Sequence, residues 1–129
     1  MRLLLDTQAL IWTLSQPAKL PASVRSTLED SANAVFASAA SAWEIAIKRA
    51  LGKLDFPSQV LSDALAAAAI SELPVAMRHT LSLGSLPPHH RDPFDRMLIA
   101  QAKTEGLTLV SNDPQIWRYD VAWLWAKTR

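Results

Sequence analysis

Five acidic residues sit where short apolar runs give way to polar or helical stretches: Asp6 in MRLLLDTQAL, Glu44 in SAWEIAIKRA, Asp92 and Asp95 in HHRDPFDRMLIAQA, and Asp113 in LTLVSNDPQIW. Asp6 and Asp113 each follow an apolar run, the position taken by the carboxyl end of a strand in a parallel α/β sheet. Ligand sites of open α/β sheets form in the crevice outside those ends. Carboxylates gathered there repel one another unless a cation sits among them, and an all-oxygen donor set suits Mg²⁺ or Mn²⁺. The chemistry this pattern points to is that of a metal-dependent enzyme acting on phosphate esters.

Each acid also has a purely structural reading. Asp92-Pro93 and Asp113-Pro114 have the form of a helix N-cap followed by proline at the first helical position. Ser41-Ala42-Trp43-Glu44 fits a capping box, with Glu44 reaching back to Ser41. Asp6 is suited to cap a helix after the first strand. Capping explains each position separately but does not require the acids to converge on one edge. Between the two neighbours, Pro93 marks Asp92 as the cap and leaves Asp95 for the site, with Asp92 as a residue that orients a ligand.

The elements that must position these acids follow from the pattern of apolar residues. Arg2–Leu5, Asn33–Ser38 and Leu107–Ser111 read as strands, with further strands expected around Leu73–Val75 and over Tyr119–Leu124. Val24–Ser31, Ser41–Leu51, Gln59–Ile70, Met77–Leu83 and Pro93–Glu105 read as helices, the last closed by Gly106. Trp43, Ile47, Ala50 and Leu51 share one face of the second of these, which ends at Gly52. Strands alternating with helices give an α/β fold with a mostly parallel sheet. The chain has 129 residues, 50% hydrophobic and 19% charged, which fits one domain over 1–129 with a sizeable core. It has no cysteine, which excludes disulfides and thiolate metal sites and suits a reducing cytosol. No apolar run reaches the length of a membrane span, so a cytoplasmic location is expected. The net charge of +1 is no basic footprint, so nucleic-acid binding must rest on a local patch.

The stretches LLLDT (Leu3–Thr7), SAASAWEIAIKRALGKL (Ser38–Leu54), HHRDPFDRMLIAQA (His89–Ala102) and LTLVSND (Leu107–Asp113) together resemble the PIN-domain family, and within it the VapC-like toxins of bacterial toxin–antitoxin modules. They occur in the family's order and cover nearly the whole chain. The resemblance implies a three-layer α/β/α PIN-like domain with strand order 3-2-1-4-5. It puts the family's four acids on Asp6, Glu44, Asp95 and Asp113. It further implies Mg²⁺- or Mn²⁺-dependent cleavage of RNA, neutralisation by a cognate antitoxin, and a homodimer. One departure is visible: Gln8 stands where close relatives of this pattern carry His.

On that reading Asp6 is the principal metal ligand, Asp95 and Asp113 complete the cluster, and Glu44 binds through water or orients the nucleophile. Thr7, Ser111 and Asn112 are small polar neighbours able to bond a carboxylate or phosphate, or simply to serve a strand-to-turn junction. Arg91 and Arg96 either hold phosphates or pair with Asp92 and Asp95. Lys48 and Arg49, with Lys53, either contact an RNA backbone or complement the C-terminus of their helix. His89 and His90 lack a partner at metal-ligand spacing and read as part of a solvated loop. Of the five tryptophans, most are expected in the core. Two other readings stay open: a catalytically silent domain acting only within a complex, and a phosphatase-type hydrolase suggested by LLLDT, although Gln8 occupies the second Asp position of its D-x-D pattern.

Overall fold

Arg2–Leu5 forms strand β1, and its three leucines are fully buried, as a strand covered on both faces requires. The computed structural model, which describes residues 1–126, places four more strands with it: β2 (Ala34–Ser38), β3 (Ile70–Leu73), β4 (Thr108–Val110) and β5 (Trp123–Leu124). The order is β3-β2-β1-β4-β5 and every neighbouring pair is parallel. The expected order is thus the observed one, and the sheet expected to be mostly parallel is parallel throughout.

The helices are α1 (Thr7–Ser15), α2 (Ala22–Glu29), α3 (Ala39–Ala50), α4 (Leu61–Ala67), α5 (Met77–Ser82), α6 (Pro93–Glu105) and α7 (Pro114–Trp117). Successive side chains of a strand point to opposite faces, and β1 shows the result. Leu3 and Leu5 enter one apolar cluster with Leu10 of α1, Val24 of α2 and Leu61 of α4, whereas Leu4 enters another with Leu98 and Ile99 of α6 and Ile116 of α7. Helix α3 serves both clusters, Ile45 in the first and Ala40 in the second. The result is a three-layer α/β/α arrangement. Among the described residues no helix is long and apolar enough to cross a membrane.

Several expected boundaries move. Helix α3 starts at Ala39, not Ser41, because Ser38 ends β2 and caps the helix itself, its Oγ accepting from Ala40 N–H. The capping box on Ser41 and Glu44 is therefore not formed. The apolar residues Trp43 and Ile47 of α3 and Leu51 at its C-cap are exposed, while the helix's buried face is Ala40, Ser41, Glu44 and Ile45. Helix α4 stops at Ala67 and Ile70 opens β3, three residues earlier than the strand expected at Leu73–Val75. The stop is made by Ala69 in the left-handed region (φ 57°), a conformation that alanine adopts at a cost and that its side chain does not advertise. Helix α2 begins at Ala22 after Pro21, two residues ahead of expectation. The final strand is only Trp123–Leu124, since Tyr119 is spent in a buried turn before it.

Candidate active site

In this strand order the chain reverses direction across the sheet between β1 and β4, and the crevice at their carboxyl ends is where a parallel sheet offers a ligand site. Asp6 follows β1 directly. Its backbone N–H donates to Val110 O (3.0 Å), prolonging the ladder with β4, and its Oδ1 accepts from Ala9 N–H (2.8 Å) as the cap of α1. The Ser111 hydroxyl donates to the same carboxylate while its Oγ accepts from Asp113 N–H (3.0 Å). Burial still prevails. Removal from water, reinforced by the negative charges of Asp113 and Glu44, pushes the Asp6 carboxyl up to about 6.

Glu44 comes from α3, whose start is tied to that of α1 by Thr7 Oγ1 donating to Ser41 Oγ (3.0 Å), both residues buried. Its side chain is 6% exposed and its Oε2 lies 2.7 Å from Lys48 Nζ one turn on. Its Oε1 is buried with no hydrogen-bond partner among the described residues. A carboxylate oxygen in that position is costly unless something absent from the polypeptide engages it.

Asp92 caps α6, accepting from Asp95 N–H (3.0 Å), as Pro93 requires. Asp95, in the first turn, is pushed up to about 7 by burial and then by the charges of Asp92 and Asp6. Asp113 caps α7 with Oδ1 on Gln115 N–H (2.9 Å). Its Oδ2 lies 2.8 Å from His90 Nε2, which is also 3.0 Å from Asp95 Oδ2. The loop expected to be solvated thus folds inward: His90 is a site residue, placed there because its backbone N–H donates to the buried Tyr119 hydroxyl (2.8 Å). Its ring Nδ1 accepts from the backbone N–H two residues on (3.1 Å), which no side chain in the sequence announces.

Asp6, Glu44, Asp95 and Asp113 line one cleft of about 400 Å³ with Asp92, Thr7 and Asn112. Lys48 and Lys53 add positive charge to its wall, and Gln8, Ile11 and Leu54 complete it. Ser111 lies beneath, fully buried. Two expected phosphate-binding residues stand elsewhere: Arg49 and Arg91 are exposed and outside the cleft lining. Arg96 spends its guanidinium on the loop before α6, donating to Pro87 O (3.0 Å), His90 O (3.4 Å), Tyr119 Oη (3.2 Å) and Leu83 O (3.4 Å), so it pairs with neither Asp92 nor Asp95. Of the tryptophans, Trp125 is buried and Trp12, Trp117 and Trp123 are half-buried, whereas Trp43 is 64% exposed and meets Phe94 edge-on.

The arrangement offers oxygen donors with excess negative charge to a divalent cation, and lysines to an anion approaching it. In comparisons with known proteins, residues 3–122 match the PIN domain family. No curated protein matches the chain. Two of the solved structures that share its fold are VapBC proteins. One is VapBC2 from Rickettsia felis bound to a DNA fragment from their promoter, at 16% identity and TM-score 0.68 over 93% of this chain and 94% of that one. The other is VapBC-1 from nontypeable Haemophilus influenzae, at 18% identity and TM-score 0.67 over 96% and 97%.

Proposed function

This chain belongs to the PIN domain family, and on that premise we propose that it is a Mg²⁺- or Mn²⁺-dependent endoribonuclease, the toxin of a toxin–antitoxin pair. The observation that carries the reading is the convergence of four acids from separate parts of the chain, Asp6, Glu44, Asp95 and Asp113, on one cleft at the carboxyl edge of the sheet. The residues fit a cation. Among the described residues Glu44 Oε1 is buried without a hydrogen-bond partner, and Asp6 and Asp95 are held far from their ordinary carboxylate range by burial and by their neighbours' charges. A divalent cation relieves all three.

These four acids would hold the metal, which when bound supplies an acidified water and positive charge against phosphate oxygens. The chain's own groups do the rest. Glu44 would hold the metal through a water, Oε1 accepting that water's proton while Lys48 fixes Oε2 at 2.7 Å. Lys48 and Lys53 draw the phosphodiester backbone to the cleft wall. Ser111 and the Ala9 N–H hold the Asp6 carboxylate in one orientation. The antitoxin partner is proposed on the likeness to two VapBC complexes, and dimerisation on the same resemblance.

The test is to incubate the purified chain, freed of any partner, with a panel of structured RNAs that includes tRNAs, with Mg²⁺ or Mn²⁺ and then with EDTA, beside Asp6→Asn. Site-specific cleavage that needs both the metal and Asp6 supports the nuclease. A folded, metal-binding chain that cuts no RNA shifts weight to a domain that acts only by binding. Neutralisation is tested by adding a candidate antitoxin protein, which should abolish cleavage.

A further inference from the structure

The proposed cleavage assigns no role to a histidine, yet His90 stands between two of its acids. Its side chain is 15% exposed, and Nε2 lies 2.8 Å from Asp113 Oδ2 and 3.0 Å from Asp95 Oδ2. The nearest ligand atoms of the three residues lie within 4.8 Å of one another, a spacing that a shared cation would also permit. The other ring nitrogen distinguishes the two cases. Nδ1 accepts from the backbone N–H of Asp92 at 3.1 Å. A neutral imidazole has one donor and one acceptor nitrogen, so Nε2 carries the proton and donates to the carboxylates. Ligation through Nε2 needs a lone pair there, and the proton would then sit on Nδ1, facing the Asp92 N–H donor to donor.

The backbone that carries the ring is also held in place. His90 N–H donates to the Tyr119 hydroxyl and Arg96 donates to His90 O, so the backbone on which the ring hangs is tied to α6 and to the buried turn before β5. We propose that His90 is a positioning residue: its Nε2–H clamps Asp95 and Asp113 together from outside the cation's shell, and it does not itself ligate. The inference rests on the reading of Asp95 and Asp113 as metal ligands. The clamp spreads one donated proton between two carboxylates that otherwise repel, and it leaves their other lone pairs to the cation. Groups that hydrogen-bond a metal's ligands in this way are worth roughly 10- to 100-fold in metal affinity.

The experiment is ¹⁵N NMR of the histidine rings in the full chain, without and with saturating Mg²⁺, alongside Mn²⁺ titrations of the wild type, His90→Ala and His90→Gln followed by electron paramagnetic resonance. The expected result is an acceptor-type Nδ1 and a protonated Nε2 that both persist in Mg²⁺. Mn²⁺ binding weakens roughly 10- to 100-fold in His90→Ala and is largely rescued in His90→Gln, whose amide N–H reaches the same place. Loss of the Nε2 proton on adding Mg²⁺ makes His90 a ligand and overturns the proposal. So does wild-type Mn²⁺ affinity in a folded His90→Ala, or equal losses in both variants. The ring measurement needs no variant, so poor folding of a mutant leaves it decisive. A wild-type chain that binds neither metal overturns the metal reading itself, and the clamp with it; that outcome is distinct from a failure of His90 alone.

Discussion

Asp6 is asked to be buried and to be charged, and the two demands oppose each other. Its carboxyl is pushed up to about 6, chiefly by burial. A group whose folded value lies above its unfolded one gives its full contribution to stability below the unfolded value, about 4, and loses it as pH rises through the folded value. For Asp6 that loss runs from about pH 4 through 6, and for Asp95, pushed up to about 7, it extends one unit further. In EDTA the melting temperature should therefore fall as pH rises from about 4 to 8. Asp6→Asn keeps an equally good N-cap and removes the ionisation, so it should stabilise the EDTA-treated chain at pH 8 by on the order of 1–3 kcal/mol while abolishing cleavage. A calorimetric series across pH checks this, and a flat wild-type profile would contradict it. Protons compete with the cation for the same oxygens, so Mn²⁺ affinity should rise between about pH 5 and 8, measured by titration at each pH. Asp6, Asp95 and Asp113 stand beside strand-to-helix junctions that chain periodicity reveals, whereas Glu44 lies in the second turn of α3 and joined the other three through the family resemblance. His90 was not legible, because nothing in HHRDP shows that Tyr119 and Arg96 pull the loop inward.

At the scale of elements, α6 was legible at both ends because both carry cap chemistry: Asp92 and Pro93 at one, Gly106 at the other. Gly106 adopts φ 67°, and a Cβ built there meets nothing within 4 Å. Gly106→Ala should therefore cost about 1 kcal/mol through backbone conformation alone. The thermal midpoint should drop with Mn²⁺ affinity unchanged; a simultaneous loss of metal binding would show that α6 does not hold Asp95 as a rigid unit. The α4–β3 junction was illegible for the opposite reason. The alanine run has no residue that marks a stop, and the turn falls on Ala69 by tertiary demand, so that Ile70 and Leu73 can be buried. The start of α3 was misplaced because strand and helix share Ser38 with no loop between them.

For the whole molecule, one strand carries both the core and the site. Leu4 is fully buried in the layer containing α6, while Leu3 and Leu5 fill the opposite one. Leu4→Ala should cost 2–5 kcal/mol, read from chemical denaturation, and should loosen the cleft as well, since Asp6 leaves β1 two residues later. Stability lost with metal affinity intact would mean that the sheet edge is held independently of the core. The class of fold was readable from alternating strands and helices; the order of the strands came with the family resemblance, because periodicity says which segments are strands but not which lie side by side.

That order has a consequence for synthesis. A ribosome makes Asp6 first and Asp113 last of the four acids, and β4, whose Val110 carbonyl receives the Asp6 amide, lies beside β1 in the sheet although about a hundred residues separate them. A nascent chain that stops short of β4 has three of its acids but neither the fourth nor the strand that fixes the first. The cleft lined by all four acids can therefore close only after residues 108–113 have been made.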